Sequence, residues 1–262
     1  MKIVDQTGHY FELAEKPHRI ISVVPSQTEL LFDLGLNDEV IGVTKFCIHP
    51  NSWWKEKTRV GGTKNLSIAK IRELKPDLII ANKEENNKEQ IEVLQKEFNV
   101  WTSDIKNLSS ALQMLRSIGQ IVEQVDTSTR IIEKIESKFA TLQLTSKNKA
   151  IYLIWNNPIM TVGSDTFIDD MMEKAGFINL THEQMRYPVL SEEALIQLNP
   201  EVLLLSSEPY PFKEKDVEHF KTLLPQSKIV IVDGEMFSWY GSRLMKAPLY
   251  FLNLHTSLLN VH

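Results

Sequence analysis

Two sixteen-residue stretches of the chain match each other without a gap. "LSIAKIRELKPDLIIA" (66–81) and "LSEEALIQLNPEVLLL" (190–205) lie at a constant offset of 124 residues. Leu66 meets Leu190, Ser67 meets Ser191, Leu74 meets Leu198, Pro76 meets Pro200 and Asp77 meets Glu201. Each copy spells the same physical unit: a serine suited to cap a helix, two helical turns, a proline that stops them, then an apolar run for a buried strand. Repeated supersecondary units at a long, fixed offset predict two similar lobes.

The flanking patterns fit that division. Arg19–Val24 predicts a buried strand rich in β-branched residues, with Pro25 at its end. Ser26 with Glu29 three residues on reads as a capping box opening a helix, and Gly35 stands where a helix-closing glycine belongs. Strands are expected at Val40–Thr44, Leu78–Ala81 and Val100–Thr102, and helices at Ile68–Leu74 and Lys88–Phe98. From Ser109 to Leu144 the apolar spacing predicts two helices, the second capped by Asp126 or Thr127. Alternation then resumes with strands at Ala150–Trp155, Val202–Ser206 and Ile229–Val232, and helices at Asp165–Ala175 and Ser242–Leu259. The whole is an α/β chain: a lobe over 1–126, a connecting backbone helix over 127–148, and a second lobe over 149–262.

In open α/β sheets, ligands bind beyond the carboxyl ends of the strands, so a cleft between the two lobes is expected. In the first half the expected lining is Ser26, Phe46, Cys47, His49, Thr63, Lys64 and Glu84. In the second half it is Trp155, Asn156, Arg186, Tyr187, Tyr210, Glu235, Phe237, Trp239 and Arg243. Aromatic faces with a few polar anchors suit a large, flat, partly apolar ligand better than a bare metal ion. Glu235 and Arg243 are expected either to meet that ligand or to pair with each other. Of the adjacent Trp53 and Trp54, one is expected to be exposed.

Cys47 is the only cysteine, and His49 follows it by two. Three readings stand open: a loop filling its own lobe, a ligand contact with His49 as an axial ligand, or a Cys–His dyad. No orienting acid or oxyanion motif accompanies the dyad, and no catalytic residue is assigned. The seven histidines form no H-x-x-x-H or H-E-x-x-H pattern, so no built-in metal site or cofactor is expected. Dinucleotide, Walker and nucleophile-elbow motifs are missing too. A net charge of −5 without a basic stripe argues against nucleic acid, and no apolar stretch reaches membrane-spanning length.

The strand leading into "PSQTELL", then "LKPDLIIA", the joining helix, "RYPVLSEEAL" and "GEMFSWYGSR" together resemble the helical-backbone (class III) ABC-transporter substrate-binding proteins. The branch they look most like is the cobalamin-binding one, from about Lys16 onward. The resemblance implies two Rossmann-like lobes, a rigid connecting helix, and a monomer that hands a corrinoid or related metal chelate to an ABC permease. Haem, siderophore or free metal ion are the alternative ligands, and a cytoplasmic corrinoid-handling enzyme or binder is the other class. The family's tryptophans are missing at Gly62–Lys64 and Arg186–Pro188, where Tyr187 stands in the second place. The family's permease-docking glutamates map to Glu193 and, because its repeat mate is Ala69, to Glu73 one turn on. An exported, envelope-held protein is expected if a signal sequence precedes Met1, and a cytoplasmic one if Met1 is the native start.

Overall fold

The protein is seen here in a computed structural model that describes residues 1–144 and 147–260. Residues 145 and 146 of the expected connecting segment, and 261 and 262 at the chain end, lie outside the described residues. The chain divides into two compact units. The first holds Met1–Ile105, Ser109–Ile135 and the tetrapeptide Tyr240–Arg243, and the second holds Lys106–Leu108, Glu136–Trp239 and the chain from Leu244 on.

In the first unit, β1 (Lys2–Val4) and β2 (Tyr10–Glu12) form a small antiparallel ladder. There follow β3 (Ile20–Ser22), α1 (Pro25–Asp33), β4 (Val40–Val43), α2 (Asn51–Glu56) and β5 (Thr58–Arg59). A short ladder of β6 (Gly61–Gly62) and β7 (Asn65–Leu66) leads to α3 (Ile68–Leu74), β8 (Leu78–Asn82), α4 (Lys88–Gln95) and β9 (Val100–Ser103). The main sheet runs β5-β4-β3-β8-β9 and every pairing is parallel. Strands β3, β8 and β9 are buried on both faces, which is why β8 is apolar from Leu78 to Ala81. Ile21, Ile79, Ile71, Leu94 and Val100 form the core on one face. Helices α5 (Leu108–Ile121) and α6 (Val125–Ala140) follow, and the chain changes unit within α6.

The second unit is built on β10 (Asn148–Trp155), β11 (Ile159–Thr161), α7 (Phe167–Lys174), β12 (Phe177–Asn179), β13 (Val189–Leu190), α8 (Glu192–Leu198), β14 (Val202–Ser206), α9 (Glu214–Leu223), β15 (Lys228–Val232), α10 (Glu235–Ser238) and α11 (Ala247–Asn260). Its sheet runs β13-β11-β10-β14-β15, with β12 parallel to the start of β10. Strands β10, β14 and β15 are parallel, whereas β11 and β13 add antiparallel edges that the apolar pattern did not announce.

Three local expectations need correction. Ser26 caps nothing: α1 starts one residue earlier, with Pro25 in its first turn and Val24 as an N-cap without a side-chain bond. Proline is pre-set for that position, and Glu29 is drawn elsewhere, to Arg243. The second long helix starts at Val125, leaving Asp126 inside its first turn rather than at its cap. The last helix begins at Ala247, after a 3₁₀ turn over Ser242–Met245. Gly35 closes α1 with φ +85°, the left-handed conformation glycine adopts most readily.

Candidate functional site

The carboxyl ends of the first unit's strands carry a connected set of loops. The loop after β8 is shaped from inside by two asparagines. Asn82 Oδ1 accepts from the backbone N–H of Glu84 (2.8 Å) and Glu85 (3.0 Å). Asn86 Nδ2 donates to the carbonyls of Val23 and Thr63, each at 3.1 Å, so it joins the loops after β3 and β6. Lys64 Nζ donates to the Glu84 carbonyl, and Lys83 pairs with Asp104 at 2.6 Å. In the sequence Asn82 shows as a polar residue closing an otherwise apolar strand.

Phe46 is 51% exposed, with Lys45 Nζ 4.9 Å from its ring centroid. Gly62 lets the ring lie close, because a Cβ there would come within 3.2 Å of it. His49, Thr63 and Glu84 are half-buried and Lys64 is exposed. Cys47 is fully buried; Thr28 Oγ1 donates to its sulfur at 3.1 Å, and the sulfur and Thr44 Oγ1 share a hydrogen bond of the same length. Burial, only partly offset by those hydroxyls, pushes its thiol up to about 11. A neutral, enclosed thiol is the packing element among the three readings, and it is a poor nucleophile.

Arg243, expected at a ligand, lies inside the first unit. Its Nε and Nη2 donate to the two carboxylate oxygens of Glu29 at 2.8 and 2.9 Å, with both side chains buried. Nearby, the Tyr240 hydroxyl donates to Glu85 Oε1 at 2.8 Å. Burial, then the Glu85 charge, raise the phenol well above its ordinary value. Ser26 is also enclosed. Trp53 is buried with its indole N–H on Asn37, while Trp54 stays partly exposed under Arg59.

In the second unit, Trp155 ends β10 at 39% exposure and meets the Tyr210 ring edge-on, with centroids 5.5 Å apart. Tyr210 packs in turn on Phe212. Asn156 Nδ2 donates to Asp216 at 3.2 Å, and Asn156–Ile159, Leu190, Glu192 and His219 line a concavity of about 380 Å³. Arg186 donates to the Asp165 carbonyl and lies 5.6 Å from the Tyr187 ring centroid. Glu235 is half-buried in α10. Phe237, by contrast, is fully buried between Tyr152 and Phe251, and Trp239 is 7% exposed.

Glu208 was missed from sequence. Its Oε1 accepts from Ser238 Oγ (2.8 Å) and Trp239 Nε1 (2.9 Å). Burial raises its carboxyl above the usual range, and the charges of Glu235 and Asp233 add to the effect. Of the residues expected to face a ligand, Ser26, Cys47, Phe237, Trp239 and Arg243 are therefore turned into the interior of their units. Phe46, His49, Thr63, Lys64, Glu84, Trp155, Asn156, Arg186, Tyr187, Tyr210 and Glu235 keep surface.

Glu193 is exposed in the first turn of α8, where its own backbone N–H and then the Ser191 hydroxyl hold its carboxyl below the usual range. Glu73 is exposed in the last turn of α3. Among the described residues no group of three or more His, Cys, Asp or Glu side chains is placed to hold a metal ion, and no helix is long and apolar enough to cross a membrane.

The family profile described as periplasmic binding protein matches residues 20–223. The chain is 23% identical to an ABC transporter substrate-binding lipoprotein of Bacillus subtilis, over 93% of this chain and 82% of that one. It is 26% identical to a vitamin B12-binding protein of Vibrio vulnificus, over 72% and 71% of the two chains. Among solved structures, a periplasmic haem-binding protein of Vibrio cholerae superposes with a TM-score of 0.77 at 20% identity, covering 92% of this chain and 98% of that one. The chain belongs to the periplasmic binding protein family.

Proposed function

From membership of that family, we propose that this protein captures a corrinoid or a related metal chelate for an ABC-type permease, in the cell envelope. The observation that carries the reading is the placement of half-exposed aromatic rings on carboxyl-end loops. Trp155 with Tyr210 in the second unit, and Phe46 with Lys45 in the first, are apolar faces beside polar tips. Such rings offer a flat macrocycle stacking area with little side-chain entropy to lose. Lys64, Arg186 and Glu235 supply polar anchors for the ligand's rim. Glu193 and Glu73, one exposed on each unit, are the proposed permease contacts.

A bare metal ion is disfavoured by the lack of a three-ligand cluster among the described residues. A Cys–His dyad is disfavoured by the enclosed, neutral Cys47. Vitamin B12-binding and haem-binding relatives make both macrocycles necessary probes.

The test is a calorimetric titration of the purified protein with cyanocobalamin, cobinamide, haemin and a ferric siderophore. One of them is expected to raise Tm by roughly 5–10 °C at a hundredfold excess over Kd. Trp155→Ala or Phe46→Ala is expected to weaken that ligand by about tenfold. Saturating amounts of all four without heat or Tm shift would sink the reading.

A further inference from the structure

The total charge of the chain conceals an uneven distribution. Between Glu39 and Glu73 there are seven basic side chains and one acid, Glu56. That stretch is net +6 in a chain of net −5, so all other residues together carry −11. No run of basic residues marks it in the sequence. The first unit gathers four of the seven at one edge of its main sheet. Arg59 lies in β5, the outermost strand, and Lys57 stands just before it. Lys55 is in the last turn of α2, and Lys45 follows β4.

Aromatic rings tie these cations together. The Trp54 indole N–H donates to the Lys45 carbonyl at 3.1 Å, and the Arg59 guanidinium lies 4.4 Å from the Trp54 ring centroid. Arg59 also donates to the Trp54 carbonyl at 2.6 Å. Lys57 Nζ lies 5.4 Å from the Trp53 ring centroid and donates to the Asn37 carbonyl at 2.7 Å. Lys55 is exposed, and so is Ile48 in the loop leading into α2. Among the described residues, Lys55, Lys57 and Arg59 pair with no carboxylate.

A pocket for one small anion would converge its cations on a point. Here Arg59 and Lys57 lie on two different indoles, so their charges are spread over a face. Long basic side chains lying along apolar rings keep their charged tips in water. That mixture suits the headgroup layer of an anionic bilayer, where cations meet phosphate while indole and alkyl groups rest at the acyl boundary. The acidic remainder of the chain is repelled by the same surface, which favours approach through this edge.

We propose that Lys55, Lys57 and Arg59, with Trp54 and Ile48 beside them, form a contact surface for anionic lipid headgroups, which holds the first unit against a bilayer without crossing it. The inference stands on this surface and does not depend on the ligand carried or on a permease.

Co-sedimentation of the purified full chain with vesicles tests it. Vesicles of phosphatidylglycerol and phosphatidylcholine in equal parts are expected to bind the protein at about 0.05 M NaCl and to release it at about 0.5 M. Pure phosphatidylcholine is expected to retain none. Each basic group contributes about fivefold, so Lys55→Gln, Lys57→Gln and Arg59→Gln together should weaken binding by about a hundredfold. The same change at Lys134, Lys215 and Lys221, which are exposed elsewhere, should weaken it by less than about threefold. The proposal is overturned if neutral and anionic vesicles bind alike, if neither binds, or if the two triple variants weaken binding equally. It is also overturned if inorganic phosphate at matched ionic strength displaces the protein, which would assign these groups to a small anion. Should the first triple variant fail to fold, Lys55→Gln decides alone: a loss of about fivefold supports the surface, and an unchanged affinity overturns it.

Discussion

The helix–proline–strand motif occurs once in each unit, and the two copies agree in backbone more closely than in side chains. Lys75 and Asn199, the residues that end α3 and α8, adopt φ/ψ of 46°/62° and 44°/62°. Pro76 and Pro200 follow and are buried, and the next residue is an acid in both copies. Asp77 accepts from the backbone of His18 at 2.7 Å and Arg19 at 3.0 Å, and Glu201 from that of Lys149 at 2.9 Å. In both units the acid therefore pins the start of the central strand to the start of its neighbour. What differs is how each copy is finished: which serine caps, which residue bears the left-handed turn, and how a buried carboxyl is compensated nearby. Backbone geometry is fixed by a few local rules, whereas the finishing contacts answer to each unit's own packing.

The largest expected difference concerns the buried acids. Glu29 in the first unit is neutralised by the bidentate Arg243, so Arg243→Ala strands a buried carboxylate. It should lower unfolding free energy by about 3–5 kcal/mol in urea titrations. The double variant Glu29→Leu with Arg243→Leu should recover much of the loss; no recovery would mean that packing, not charge, is at stake.

The serines come next. Ser191 Oγ accepts from the Ala194 amide at 3.2 Å, but Ser67 makes no side-chain cap. Ser191→Ala should therefore cost about 1 kcal/mol and Ser67→Ala close to none. Equal losses would erase the distinction between the copies.

A gain is expected at the left-handed turns. Lysine is strained at positive φ and asparagine tolerates it, so Lys75→Gly should stabilise by about 0.5–1 kcal/mol and Asn199→Gly by less. Chemical denaturation of the two variants side by side checks this.

The smallest effect belongs to Glu208, whose compensation is by neutral donors. A carboxyl raised in the folded state favours its protonated form there. Its stabilising contribution is present at low pH and is lost as pH rises through the folded pKa. Glu208→Gln should therefore raise Tm by about 2 °C at neutral pH, and the gap to the parent should close on acidification toward the carboxylate range. A gap that widens on acidification would reverse the assigned direction.

The sequence by itself determined what depends on near neighbours. The strands at β8, β14 and β15, helix α3 to the residue, and the glycine closing α1 follow from periodicity, proline and turn chemistry within about a dozen residues. The offset repeat carried that local information to the level of two similar units. Only the tertiary structure decided which side chains in the aromatic and polar loops face outward. Trp155 closes β10 and Phe237 lies in the short helix α10 after β15, both aromatic residues near a strand's carboxyl end, yet one keeps surface and the other is enclosed by Tyr152 and Phe251. It also decided that Arg243 belongs to Glu29, 214 residues away, and that Tyr240 belongs to Glu85. Such pairings leave no periodic trace, because their partners are chosen by what the packed chain brings within 3 Å of each other. A buried charge or hydroxyl must then take the partner that packing supplies.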